Sequence, residues 1–184
     1  KKCTEEMRYG QGDGSVQINF DLPYNEALLP HWKEFANALE QYHYHRKHST
    51  EQRDNVSKLR LLGIELPNKV LDLLSNALQS THFNNFALRN NNFGQKGIKF
   101  ALDYLENNTI LKTFYLSNNP INSMADIKRL CEVVKRHSSI YMLELPGCKG
   151  ADIDGFEMLK MVMNYGKCKL EVIDLSNNNI STGG

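Results

Sequence analysis

Five stretches of the chain share one spacing of apolar and polar positions. From Leu111 the text reads LKTFYLSNNPI, with apolar residues at Leu111, Phe114, Leu116 and Ile121 and an asparagine at Asn119. From Leu170 it reads LEVIDLSNNNI, which sets Leu170, Ile173, Leu175, Asn178 and Ile180 at the same offsets. FNNFALRNNNF fits with Phe83, Phe86, Leu88, Asn91 and Phe93, and VSKLRLLGIEL fits more loosely with Val56, Leu59, Leu61 and Leu66. IYMLELPGCKG adds Ile140, Leu143 and Leu145. The units start at Val56, Phe83, Leu111, Ile140 and Leu170, so they are 27, 28, 29 and 30 residues apart. A nearly fixed period of this size marks a repeat array.

Within each unit the apolar period changes from 2 toward 3.6, which predicts a strand, a turn and then a helix. The helical positions are Val70, Leu74 and Leu78 in the first unit, Gly97, Ala101 and Leu105 in the second, Ile127, Leu130 and Val134 in the third, and Phe156, Leu159 and Met163 in the fourth. One such unit cannot bury its apolar face alone, so neighbours must stack to complete a core.

The asparagine has a separate task. Where the chain leaves a strand, its backbone N–H and C=O groups are buried and need partners. An inward amide donates and accepts at once, so stacked copies predict a ladder through Asn91, Asn119 and Asn178, with Cys148 as the substitute in the fourth unit. Ile64 departs from the pattern, so the first unit is read as part of an N-terminal cap region. That cap is read from VQINF, with alternating Ile18 and Phe20, and from a helix over about Pro30 to Tyr44 carrying Trp32, Phe35, Ala36 and Leu39. The polar, aperiodic stretch HYHRKHSTEQRDN after it predicts an exposed loop. The division expected is thus a cap segment over 1–55 and repeats over 56–184, about five units with the last incomplete. The sequence stops where the next helix should begin, so further repeats, another domain or self-association is expected at the C-terminal edge.

LKTFYLSNNPI and LEVIDLSNNNI, with long helical stretches between them, resemble the ribonuclease-inhibitor-like subfamily of leucine-rich repeats over about Val56 to Gly184. The resemblance implies an α/β solenoid, a horseshoe with a concave parallel sheet and convex helices. Members of the subfamily include ribonuclease inhibitors, NOD-like receptors, tropomodulin and CARMIL-type actin regulators, and Ran GTPase-activating protein. Their partners are unrelated, so the fold alone selects none.

Strand residues between the inward leucines face the concave side. The central row is Arg60, Ala87, Tyr115, Glu144 and Asp174, the row before it Lys58, Asn85, Thr113, Met142 and Val172, and the row after it Leu62, Arg89, Ser117, Pro146 and Ser176. Basic residues gather at one end and acidic ones at the other, with Tyr115 and Met142 between them, an anchor pair of the type binding hot spots favour. Arg60, Arg89, Tyr115, Met142, Glu144 and Asp174 are therefore the candidate partner-binding residues, and a protein is the expected partner. A regulator of a small GTPase, with Arg89 and Asn90 at the strand-to-helix rim, or of actin assembly is the alternative on the same fold.

Composition narrows this further. The 184 residues are 41% hydrophobic and 23% charged, as in a folded globular chain. Lys+Arg 22 against Asp+Glu 21 gives +1, which supplies no global field for nucleic acid or an anionic membrane. No apolar run approaches the roughly 20 residues of a membrane helix. Four cysteines without CxxC spacing point to reduced thiols and a cytoplasmic setting. His43, His45 and His48 lack a Cys or carboxylate at ligand spacing, Cys131 falls beside inward Leu130, and the Gly clusters match no phosphate loop. Lys128, Arg129, Lys135 and Arg136 with Glu132 read as a solvated, ion-paired helix face. Repeats do not converge side chains on one pocket, so no catalytic set, cofactor or metal is expected.

Overall fold

The computed structural model describes residues 15–48, 57–91, 93–148 and 168–178. Strand β1 (Ser15–Leu22) and a short 3-10 turn (Glu26–Leu28) lead into helix α1 (Leu29–His48). Next come β2 (Lys58–Ile64), α2 (Asn68–Ala77), β3 (Asn85–Arg89), α3 (Gly94–Asn107), β4 (Thr113–Tyr115), α4 (Met124–Arg136), β5 (Met142–Glu144) and β6 (Val172–Asp174). All six described strands form one parallel sheet in chain order.

A parallel strand following its predecessor needs a crossover, and here each described crossover helix lies against the same side of the sheet. The inward strand residues Leu59, Leu61, Phe86, Leu88, Phe114, Leu116, Leu143 and Leu145 are fully buried. They meet Val70, Leu71 and Leu74 of α2, Ile98, Ala101, Leu102 and Leu105 of α3, and Ile127, Leu130 and Val134 of α4 in one continuous core. Helices pack about 8–10 Å apart, whereas strands sit about 4.8 Å apart. An array carrying both layers therefore bends with the sheet inside and the helices outside.

Local chemistry fixes the ends of the elements. Ser123 Oγ accepts from Asp126 N at 3.4 Å at the start of α4, and Lys135 and Arg136 occupy its last turn, where cations complement the helix dipole. At Gly97 an added Cβ would fall 1.9 Å from the Phe93 ring, so the glycine lets α3 close onto that side chain.

Two elements differ from the sequence reading. The N-terminal helix continues to His48, past the point where the polar stretch predicted a loop, because polar residues lengthen a helix already anchored by Trp32, Phe35, Ala36 and Leu39. The remainder of that stretch lies outside the described residues, as do the fourth-unit helix with Phe156, Leu159 and Met163 and the turn after Asn178. Strand β2 runs through Ile64, which is buried. No amide stands at this position, yet Gly63 just before it takes the same left-handed turn, with φ 65, as the residue before the ladder position in the other units.

Candidate functional site

The sheet registers Arg60 beside Ala87, Ala87 beside Tyr115, Tyr115 beside Glu144 and Glu144 beside Asp174. β1 lengthens this row by Gln17, the partner of Arg60. Lys58, Asn85, Thr113, Met142 and Val172 form the parallel row on one side, and Leu62 and Arg89 lie on the other.

Side-chain reach brings four of the six candidate residues together. Arg89 Nη2 donates to Glu144 Oε2 at 3.0 Å, and the same guanidinium sits 4.8 Å from the Tyr115 ring centroid, within range of a cation–π attraction. Tyr115 Oη reaches Met142 Sδ at 3.3 Å. These four side chains come from three adjacent strands, and Asn85, Thr113 and Ser117 are buried. Asn85 Nδ2 donates to Thr113 Oγ1. Asn85 Oδ1, Ser117 Oγ and Arg89 Nε have no hydrogen-bond partner among the described residues.

The remaining two candidates stand apart from the cluster. Arg60 lies two strands away from Tyr115 on β2, and Asp174 lies on β6, where its Oδ1 accepts from Ser176 N at 2.8 Å. That backbone hydrogen bond holds the Asp174 carboxyl below the ordinary range. Instead of a smooth charge gradient, the face carries a neutralised centre between a basic end and an acidic end. The sequence rows placed Arg89 and Glu144 in different columns two strands apart, and only the length of the arginine side chain joins them.

The turns beside this face are held by a buried ladder and by one exposed side-chain contact. In the buried one, Asn91 Nδ2 donates to Ile64 O at 3.0 Å, Asn119 Nδ2 to Leu88 O at 3.0 Å, Cys148 Sγ to Leu116 O at 2.9 Å and Asn178 Nδ2 to Leu145 O at 2.8 Å. Asn119 Oδ1 also accepts from Asn91 N at 3.0 Å. Burial pushes the Cys148 thiol up to about 11, so it is a protonated donor. The exposed contact escaped the sequence reading: Asn118 Nδ2 donates to Asn90 Oδ1 at 2.8 Å. Gly63, Asn90, Asn118, Gly147 and Asn177 all adopt φ between 55 and 67, a left-handed conformation that only Gly and Asn enter readily. The signal was present, since each stands one residue before the buried ladder position.

Other chemistry is absorbed by structure. Cys131 is buried in α4 and its thiol is pushed up to about 11 by burial, far from a reactive thiolate. On the helix side, Arg129 bonds Asp103 at 2.7 Å and Glu106 at 2.6 Å on α3, and Arg136 bonds Glu132 at 3.1 Å. The basic stretch thus ties one helix to its neighbour as well as to itself. Asn90, a rim candidate, is engaged with Asn118. The side chains of His43, His45 and His48 lie outside the described residues, and among the described residues no group of three His, Cys, Asp or Glu could hold a metal.

No protein-family model matches the sequence, and no curated protein matches it. Among solved structures, the chain is similar to the tropomodulin C-terminal domain of Caenorhabditis elegans, with 13% identity, a TM-score of 0.57, and coverage of 77% of this chain and 82% of that one. The fold is a leucine-rich repeat solenoid. Its strand–turn–helix units, single parallel sheet and stacked turn ladders all express that architecture, and the open sheet is the concave face of the solenoid. No helix among the described residues is long and apolar enough to cross a membrane.

Proposed function

We propose that the chain is a protein-binding module of the ribonuclease-inhibitor-like kind, which holds a partner on the concave face of the solenoid. The carrying observation is the cluster of Arg89, Tyr115, Met142 and Glu144. It sits on the open sheet and is pre-shaped by its own contacts, with an aromatic anchor, a thioether and an ion pair that a partner can share. Pre-ordered side chains lose less freedom on binding than mobile ones, and aromatic and arginine residues dominate measured interface energies. The partner reading needs no cofactor, and the near-zero net charge supports a protein over a nucleic acid. The buried Cys131 and Cys148 are free thiols, which supports a reducing, cytoplasmic setting.

The test is affinity measurement for a verified partner with Tyr115→Ala plus Glu144→Lys. Loss of binding with an unchanged melting temperature supports the concave face. Unchanged binding moves the site to a rim loop or to the helices.

A second reading, regulation of actin assembly, draws on the tropomodulin domain to which the fold is similar. Polymerisation kinetics of actin with and without the protein decide it: an unchanged elongation rate at saturating protein removes it. Regulation of a small GTPase is the weaker alternative, because Arg89 is held by Glu144 and Asn90 by Asn118. A GTP hydrolysis assay with no acceleration at high protein concentration removes that one.

A further inference from the structure

Of the four large apolar side chains that stand well exposed among the described residues, three gather where the chain enters β4, β5 and β6: Ile110 at 45%, Tyr141 at 37% and Val172 at 41%. The backbone sets their strands level with one another at this rim. Tyr141 N donates to Lys112 O at 3.0 Å, and Glu171 N and Val172 N donate to Tyr141 O at 2.8 and 2.9 Å. Lys112, Tyr141 and Glu171 therefore form a row across three adjacent strands. Ile110 comes just before the lysine and Val172 directly after the glutamate. Exposed apolar side chains that adjoin in this way mark a contact surface.

The charges of the row select what covers it. Lys112 and Glu171 are both exposed, and each stands one strand step, about 4.8 Å, from Tyr141 on opposite sides. Neither takes part in the ion pairs made among the described residues. A two-fold axis that passes by Tyr141, lies in the contact plane and runs perpendicular to the row turns the row end for end. Lys112 of each copy then meets Glu171 of the other, and Tyr141 meets Tyr141. The same operation carries Ile110 to the side of the contact that holds Val172. An axis along the row would instead set lysine on lysine and glutamate on glutamate, which like-charge repulsion disfavours. A two-fold interface requires self-complementarity of this kind, in which residue i meets j and j meets i. The chain already carries the reversed pattern that its own rim needs, and its net charge of +1 puts little general repulsion between copies.

We infer that this rim is a two-fold contact between two copies of the chain, centred on Tyr141 and closed on both flanks by Lys112 paired with Glu171. The inference stands apart from the concave-face reading, since Arg89, Tyr115 and Glu144 lie further along their strands. Burial of the apolar side chains and offset stacking of the two tyrosine rings supply the affinity. The paired charges fix the orientation.

Sedimentation equilibrium of the full chain from about 10 μM to about 1 mM tests it. The parent chain is expected to show a monomer–dimer equilibrium. Lys112→Glu sets two carboxylates together in a dimer of that variant, and Glu171→Lys sets two ammonium groups together, so each should associate about tenfold more weakly or worse. Both positions are exposed, so the melting temperature should hold in each variant. An equimolar mixture of the two variants should recover the parent affinity, because each altered side chain then faces the opposite charge. A parent chain that stays monomeric throughout overturns the inference and leaves the rim to a different protein. Association that neither charge change weakens overturns it by placing the contact elsewhere, such as the open edge of β6. Variants that are weakened alone and no stronger when mixed overturn the pairing of Lys112 with Glu171, and the two-fold contact with it.

Discussion

The side-chain amide of Asn119 donates to the carbonyl of Leu88 at 3.0 Å while its oxygen accepts from the N–H of Asn91 at 3.0 Å. One buried side chain thereby closes two backbone groups of the preceding unit. Asn119→Ala leaves both without partners, and the expected cost is about 1 to 3 kcal/mol. Asn122 is exposed three residues on, and Asn122→Ala should cost far less. Urea unfolding of the two variants measures the difference; equal shifts would remove the buried ladder from the account of stability.

Gly147 combines two demands. Its φ is 67, and an added Cβ would fall 2.0 Å from Asn118 Oδ1. Gly147→Ala should therefore destabilise by about 1 to 3 kcal/mol through backbone strain and that clash. Asn118→Gly removes the clashing side chain and keeps φ accessible, so the double variant should recover part of the loss. Additive losses in the cycle would show that the two residues do not meet.

His137 sets a pH dependence. Its Nε2 lies 2.8 Å from Asn108 O, and its Nδ1 accepts from Ile140 N at 3.2 Å. A carbonyl only accepts and a backbone N–H only donates, so the ring is neutral with its proton on Nε2. Burial lowers the pKa in the folded state. The unfolded chain binds the proton more readily, so this contribution to stability is full above about pH 6.5 and is lost as pH falls toward the folded pKa. Unfolding free energies at pH 7.5 and 5.5 should differ more in the parent chain than in His137→Gln. The same difference in both would assign the pH effect to other groups.

The Arg89–Glu144 pair should separate binding from folding. The Arg89 side chain is 42% exposed and that of Glu144 25%, and a pair this open contributes below about 1 kcal/mol to stability. Arg89→Ala should leave the melting temperature nearly unchanged and weaken a concave-face partner at least several-fold, since the change also frees Tyr115 to move. A large melting shift with unaltered affinity would make the cluster a structural brace.

Much of the fold was legible because repetition multiplies each signal. Leu59, Phe86, Phe114, Leu143 and Ile173 recur at one offset from the unit start, and the structure registers them as neighbours. The rows on the open face followed from the same alignment. The contact between Arg89 and Glu144 did not, because it crosses two strands and changes rows, and a register specifies where side chains start but not where long ones end. The length of α1 was hidden for a different reason: His43 to His48 show no apolar period, yet a helix already nucleated by a packed segment extends cheaply through polar residues. The left-handed turn was hidden because Asn and Gly alternate at the position just before the inward residue, Gly63, Asn90, Asn118, Gly147 and Asn177, so no single residue type marks it.

Each buried ladder donor reaches backward, from Asn91 to Ile64, Asn119 to Leu88, Cys148 to Leu116 and Asn178 to Leu145. A unit therefore never finishes itself; its last bare carbonyl is closed by the residue that arrives one turn of the solenoid later. Removing the final described unit would therefore leave the Leu145 carbonyl bare, so damage at one turn is felt in the unit before it.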